Sequence, residues 1–166
     1  QDVKILEENK KYLINCLSKS ENFEIPLEKN TIPGSTLVHV RRGDYKSVNE
    51  ELNISYYEEA IGYAKKHIEN FSFEVFTDDK EWVSNQKIFA DAKFIHGPNQ
   101  IVDDLLKDVA NMLEFENYII SNSSFSLTAA ILGKKKNSVV IIPAPWMKHS
   151  KADPRNLKNA WIKIKN

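Results

Sequence analysis

The stretch STLVHVRRGDY, residues 35–45, decides how this chain is read. Ser35 to Val40 have the length and apolar composition of a buried strand. Two arginines, a glycine and an aspartate follow at once. Gly43 lets the backbone turn tightly or come close to a ligand. The charged group therefore stands just past a strand end, where open α/β sheets bind their ligands. Arg41 and Arg42 carry planar forks of donors matched to phosphate oxygens. Asp44 can hold one fork in place, and His39 can add a donor. These residues point to an anion site, with the phosphates of a nucleotide as its leading occupant.

Outward from that stretch, strands and helices alternate. Asp2 to about Ser18 is predicted as one helix, with Leu6, Leu13 and Leu17 on a face, and Ser20–Gly34, with Pro26 and Pro33, as a loop. Asn53–Asn70 is the clearest helix. Its capping box is read at Ser55 and Glu58, and its buried stripe at Tyr57, Ile61, Ala64 and Ile68. Phe73–Phe76 is predicted as a strand ending in Thr77-Asp78-Asp79, Lys80 to about Lys87 as a short helix, and Ala92–Ile95 as a strand closed by Gly97-Pro98. Val102, Leu105, Leu106, Val109, Met112 and Leu113 set out an amphipathic helix with Asp104, Asp108 and Asn111 off its stripe. Tyr118–Ile120 is strand-like and leads into Ser121–Ser124, then a helix over Phe125–Leu132. Ser138–Ile142 is predicted as a buried strand stopped by Pro143 and Pro145. Asp153-Pro154 opens a last helix whose apolar face is Leu157, Ala160, Trp161 and Ile164. The pattern predicts an α/β fold with a parallel sheet covered by helices on both faces. Residues 1–34 divide off as an N-terminal helix and linker, and 35–166 as the nucleotide-binding domain.

Composition narrows the partners. The 166 residues carry 23 basic and 23 acidic side chains, so the chain lacks the basic surface of a general nucleic-acid binder. The single cysteine, Cys16, permits neither an intramolecular disulfide nor a cysteine-cluster metal site. No apolar run reaches membrane-spanning length. No GxGxxG, Walker loop or GxSxG occurs, so phosphate binding would rest on side chains and helix ends.

Each polar cluster has a plainer alternative. Arg41 and Arg42 can be surface salt bridges, although their place at a strand end favours a site. Ser121–Ser124 can supply an N-cap, yet four small polar residues exceed what a cap needs, and helix-end amides with hydroxyls make a phosphate cradle. Asp78 and Asp79 can cap the next helix; a metal site there lacks a convincing ligand set. Asp108 is ordinarily a solvated helix-edge residue. His67, His96 and His149 are read as surface or satisfied histidines, and Trp146 and Trp161 as core. In a parallel sheet the clusters after three strands gather along one edge.

Four ordered motifs resemble the α-1,2-fucosyltransferase family of inverting glycosyltransferases, glycosyltransferase family 11. His39-Val40-Arg41-Arg42-Gly43-Asp44-Tyr45 is similar to its HxRRGDY motif, and Phe76-Thr77-Asp78-Asp79 with Trp82-Val83 to its F(S/T)DD…WV segment. Asp108–Leu132, with Asn122-Ser123-Ser124-Phe125-Ser126, resembles its NSSFS block, and Ile142–Trp146 its VI-P-W segment. The family commonly has two tryptophans where this chain has Leu127-Thr128, a departure that bears on the acceptor side and on packing.

The resemblance implies a GT-B architecture of two Rossmann-like halves, of which this chain is the C-terminal, GDP-fucose-binding one. Family chains commonly start with a GGLGNQ-type segment, absent here, so the chain is read as an excised donor-binding domain that does not transfer fucose alone. Carried over by position, Arg41 binds the β-phosphate and Arg42 supports it, while His39 touches the diphosphate or ribose. Ser123 and Ser124 hold phosphate through hydroxyls and helix amides, Asn122 is counted with the donor-binding residues, Asp108 meets guanine, and Asp79 lines the nucleotide pocket. Asp44 orients an arginine and is the local candidate for general base. GDP-fucose is then the donor substrate, with no cofactor or metal ion required. The oligosaccharide acceptor is met through the other domain, nucleic acid is no partner, and the location is the cytoplasm, with peripheral association at the inner face of a bacterial membrane. A transferase with another donor or linkage, and a non-catalytic sugar-nucleotide-binding module, stay open as alternatives.

Overall fold

In β1 (Ser35–Val40) side chains alternate between two apolar faces, as a strand requires. Leu37 packs with Phe76, Tyr118 and Ile142 on one side, while Val38 and Val40 pack with Val75, Ile119 and Ile141 on the other. Apolar burial on both faces selects a central parallel strand. The computed structural model describes residues 2–19, 31–97, 102–149 and 161–166. Its further strands are β2 (Ser72–Thr77), β3 (Ile95–His96), β4 (Asn117–Ile119), β5 (Val140–Ala144) and β6 (Ile162–Lys165). All pair in parallel in the order β3-β2-β1-β4-β5-β6. That is the Rossmann order, which reverses between β1 and β4. One face carries α1 (Val3–Glu8), α2 (Lys10–Leu17), α5 (Val102–Met112) and α6 (Ser124–Gly133); the other carries α3 (Ile54–His67) and α4 (Lys80–Ser84). At the start of β1, Gly34 has φ +78°, and a Cβ there would collide with the Asn70 carbonyl.

The N-terminal segment belongs to the same layers. Val3 is fully buried in the α6-side core, Lys10 Nζ donates to the Lys134 carbonyl at 3.1 Å, and Lys134 pairs with Glu7 at 3.2 Å. The single predicted helix is two. Asn9 leaves helical geometry (φ −97°, ψ 8°) and its side-chain amide takes the Ile5 carbonyl at 2.9 Å, competing with the helix ladder. The loop expected over 20–34 falls largely outside the described residues.

Other boundaries shift for local reasons. Helix α3 starts after Asn53, so Ser55 lies inside its first turn and no capping box forms; Asn53 N is satisfied by Asn166 Oδ1 at 3.1 Å. The stripe of Tyr57, Ile61 and Ala64 is buried as its spacing predicts, joined by Tyr56 and Ala60. The helix predicted over 80–87 stops at Ser84, and a separate 3-10 turn covers Lys87–Phe89. Another 3-10 turn covers Asp44–Val48. Strand β3 shrinks to the edge pair Ile95–His96.

Two corrections concern the far side of the sheet. Ile164 belongs to a strand and not to a last helix: Ile162-Lys163-Ile164-Lys165 alternates with period two, and these residues pair alongside β5 with Ile141 opposite Ile162. The Asp153-Pro154 start lies outside the described residues, as do Leu157 and Ala160. Pro143 does not stop β5 but lies within it, opposite Ile164. The Ile141 carbonyl accepts from Ile120 N at 3.0 Å and the Ala144 carbonyl from Asn166 N at 3.2 Å. Alternation therefore turns Pro143 toward β4, beyond the end of that strand. Its missing N–H would have faced the Ile120 carbonyl, which instead accepts from Tyr56 Oη at 2.6 Å.

This substitution of a phenol for a peptide N–H yields a prediction. Tyr56 is fully buried, so Tyr56→Phe leaves the Ile120 carbonyl without its donor. Urea denaturation is expected to show a loss of about 1–3 kcal/mol.

Candidate functional site

The C-terminal ends of β1 and β4 face each other where the strand order reverses. His39, next to last in β1, is 6% exposed, and its Nδ1 lies 2.7 Å from Ser121 Oγ just past β4. Tyr45 Oη adds a second tie, donating to the Asn122 carbonyl at 3.1 Å. Between these loops opens a cavity of about 510 Å³ lined by His39, Arg41, Asp44, Asp78, Asp108 and Ser124, among others. That volume lies within the usual range for small-molecule sites.

Strand alternation continues past Val40 and separates the two arginines. Arg41 shares the side of Leu37 and His39 and faces the cavity. Its guanidinium pairs with Asp44 at 2.7 Å and Asp78 at 2.9 Å. Arg42 turns to the opposite side, toward α4, where it stacks on Trp82, Cζ lying 3.8 Å from the ring centroid, with Nε 3.3 Å from Asp79. Arg42 thus does not line the cavity but anchors the loop from behind.

The aspartates separate likewise. Asp79 is not on the cavity wall, a correction to its expected place. Its Oδ1 caps α4 through Trp82 N at 3.1 Å, and its Oδ2 takes Arg42 and Lys46. Burial pushes the Asp79 carboxyl up, but the bonds from Lys46, the Trp82 amide and Arg42 outweigh it and hold the pKa below its ordinary value. Asp78 is the member that lines the cavity.

On the β4 side, Ser123 Oγ accepts from Phe125 N at 3.3 Å and so caps α6, while Ser124 is exposed at the helix start. Both border the cavity. The cap is therefore Ser123's, and Ser124 is left exposed at the cavity. Asn122 departs from its expected role: 1% exposed, it sends Nδ2 to the Glu50 carbonyl at 2.8 Å and clips two loops together away from the cavity. Asp108, on α5, borders the cavity as its position on the helix edge allows.

Sequence reasoning assigned no ligand-binding role to Tyr45, Phe76, Thr77, Asp78, His96, Gly97 or Phe125, all on the cavity wall. His96 is satisfied as expected, 2.7 Å from Glu74, yet also stacks on Phe76 with centroids 4.1 Å apart. The strand-end rule applied to β1 and β2 would have found His96 and Gly97, which stand at the end of β3. Trp146 and Trp161 are core, at 7% and 6% exposure. No described helix is long and apolar enough to cross a membrane.

The family model for glycosyl transferase family 11 matches residues 11–165. An alpha-1,2-colitosyltransferase of Escherichia coli is 39% identical over 144 residues, which cover 78% of this chain and 47% of that protein. The O-antigen biosynthesis glycosyltransferase WbnK of Escherichia coli is 28% identical over 142 residues, 78% of this chain and 44% of that protein. The chain spans about half the length of the curated relatives it matches.

Burial of His39 gives the site a pH signature. Desolvation pulls its pKa from 6.5 down to about 4, with Asp78 raising and Arg41 lowering it by smaller amounts. Between those values the unfolded chain binds a proton that the folded chain refuses. Stability is expected to fall as pH drops through that window, by roughly 3 kcal/mol from this group. Denaturation of wild type and His39→Gln at pH 4.5 and 7 checks it: the substitution should flatten the dependence.

Proposed function

This chain belongs to glycosyl transferase family 11, and from that premise we propose that it is the GDP-fucose-binding half of an inverting α-1,2-fucosyltransferase of GT-B architecture. The observation that carries the reading is the cavity at the strand-order reversal, with the Arg41 guanidinium on one wall and the capped start of α6 on the other. A diphosphate suits both: a charged donor fork on one side, hydroxyls and helix-end amides on the other.

The chemistry follows from the leaving group. As the bond to fucose breaks, negative charge grows on the β-phosphate, and a guanidinium already fixed beside it stabilises that charge without reorganising. The sugar passes through an oxocarbenium-like state and the acceptor hydroxyl attacks from the opposite face, so a β-linked donor gives an α-linked product. Neutral His39 supports the diphosphate or ribose as a hydrogen-bonding wall. Asp108 offers a carboxylate to the N–H edge of guanine. Arginine takes the part that a divalent cation plays elsewhere, so the full-length enzyme is expected to keep its turnover in EDTA. The acceptor is an oligosaccharide met mainly through the other half, at the cytoplasmic face of a bacterial membrane.

A second reading has its own support. The relative that is 39% identical is named for colitosyl transfer, so the donor sugar can be colitose in place of fucose on the same nucleotide grip. Turnover of the full-length protein with GDP-fucose against GDP-colitose decides between them, and turnover with neither would favour a non-catalytic nucleotide-binding module.

The two arginines give the sharpest test. Arg41→Ala should weaken GDP binding by about tenfold or more in a calorimetric titration. Arg42→Ala should act mainly on stability, lowering the denaturation midpoint through loss of the Trp82 stack and the Asp79 pair. Equal GDP affinity in wild type and Arg41→Ala would remove the phosphate assignment.

A further inference from the structure

Arg41 is held by two carboxylates that differ in burial and in the donors they accept. Asp78 is 18% exposed in its side chain, and Asp44 is 65% exposed. Asp78 accepts three donors: Arg41 Nη1 at 2.9 Å, Arg42 N at 2.8 Å and Gly43 N at 3.0 Å. The fit is close enough to fix residue 43, because a Cβ there would stand 2.8 Å from Asp78 Oδ2. Thr77 Oγ1, accepting from Asp79 N at 3.0 Å, pins the turn that presents Asp78. Asp44, three residues from Arg41 at the start of a 3-10 turn, touches the same guanidinium through Nη2 at 2.7 Å.

We propose that Asp78 is the positioning residue for Arg41, and that Asp44 is the exchangeable partner an incoming diphosphate displaces. The inference rests on the donor-binding reading above and adds a division of labour to it. The loop 41–44 cannot offer its amides at Arg42 and Gly43 to an anion, because Asp78 already holds both. An arriving phosphate therefore meets Arg41 through the guanidinium, and the bond to the exposed Asp44 is the one that yields. A half-buried charged hydrogen bond with three donors outlasts an exposed ion pair in competition with phosphate. Asp78 keeps Nη1 and hence the direction of the fork, while Nη2 passes from Asp44 to the phosphate oxygen. No covalent bond changes and no proton moves.

The test uses the full-length protein, with GDP and inorganic pyrophosphate as separate titrants in calorimetry. Opposite signs are expected. Asp78→Asn weakens binding of both by about tenfold or more, because Arg41 loses the acceptor that fixes the direction of its fork. Asp44→Asn tightens binding of both by about threefold, because a competitor for Nη2 is gone. Gly43→Ala retains both carboxylates yet presses on Asp78, and follows Asp78→Asn; it also serves if Asp78→Asn does not fold. In turnover, Asp78→Asn raises the donor KM and lowers kcat while the acceptor KM stays, whereas mere loss of folded enzyme lowers kcat alone. Tighter binding by Asp78→Asn, or weaker binding by Asp44→Asn, overturns the proposal. Pyrophosphate bound with this pattern while GDP is not would retain the proposal and reject the nucleotide reading. Wild type binding neither overturns both.

Discussion

The register of β1 against β2 is the constraint from which the site follows. Val40 stands opposite Thr77 at the end of the ladder. Carried one residue further, the same parallel register sets Arg41 beside Asp78, and carried two, Arg42 beside Asp79. Both ion pairs form, at 2.9 Å and 3.3 Å. Because successive side chains alternate across a sheet, the first pair falls on the α6 face and the second on the α4 face. A slip of one residue would exchange the faces and send the cavity arginine into the packing around Trp82. Apolar burial on both sides of β1 opposes such a slip.

The resulting cluster is balanced before any ligand arrives. Arg41, Arg42 and Lys46 meet Asp44, Asp78 and Asp79 in ion pairs of 2.7 to 3.3 Å. His39 beside it stays neutral at ordinary pH because burial opposes its charge. Such balance lets charged side chains sit half-buried at modest cost and keeps the arginines in fixed directions. Across the crevice, the His39–Ser121 hydrogen bond ties β1 to β4 at the point where the strand order reverses, so the two walls hold a set separation.

Much of this was legible in the sequence, and what was not has identifiable causes. Apolar strands alternating with amphipathic helices disclosed the parallel sheet, and polar clusters at three strand ends marked the edge where the cavity opens. The errors cluster where long-range pairing overrides local pattern. Pro143 looked like a strand terminator because its partner for the Ile120 carbonyl, Tyr56, is 87 residues away in sequence. Ile164 looked helical because the spacing from Leu157 through Trp161 fits period 3.6, while the shorter IKIK repeat that fits period two was outweighed. Asp79 and Asn122 lie off the cavity wall although their motif positions imply a part in donor binding, because a motif does not state which way each side chain points.

Paired residues in these motifs make that last point general. Arg41 with Arg42, Asp78 with Asp79 and Ser124 with Ser123 are adjacent and chemically alike, yet each pair divides. Arg41 borders the cavity while Arg42 commits its guanidinium to Trp82 and Asp79; Ser124 is exposed at the cavity while Ser123, also on the wall, commits its hydroxyl to the start of α6; and both aspartates serve the fold, Asp78 from the cavity wall and Asp79 at the start of α4. A site at a strand end needs both kinds of residue, because a loop that holds charge in a definite direction must itself be held. For the arginines and the aspartates, adjacent positions supply the two roles at minimal chain length, since alternation sends neighbours to opposite sides. A doubled residue just past a parallel strand is therefore better read as one functional group with its own support than as two copies of the same function.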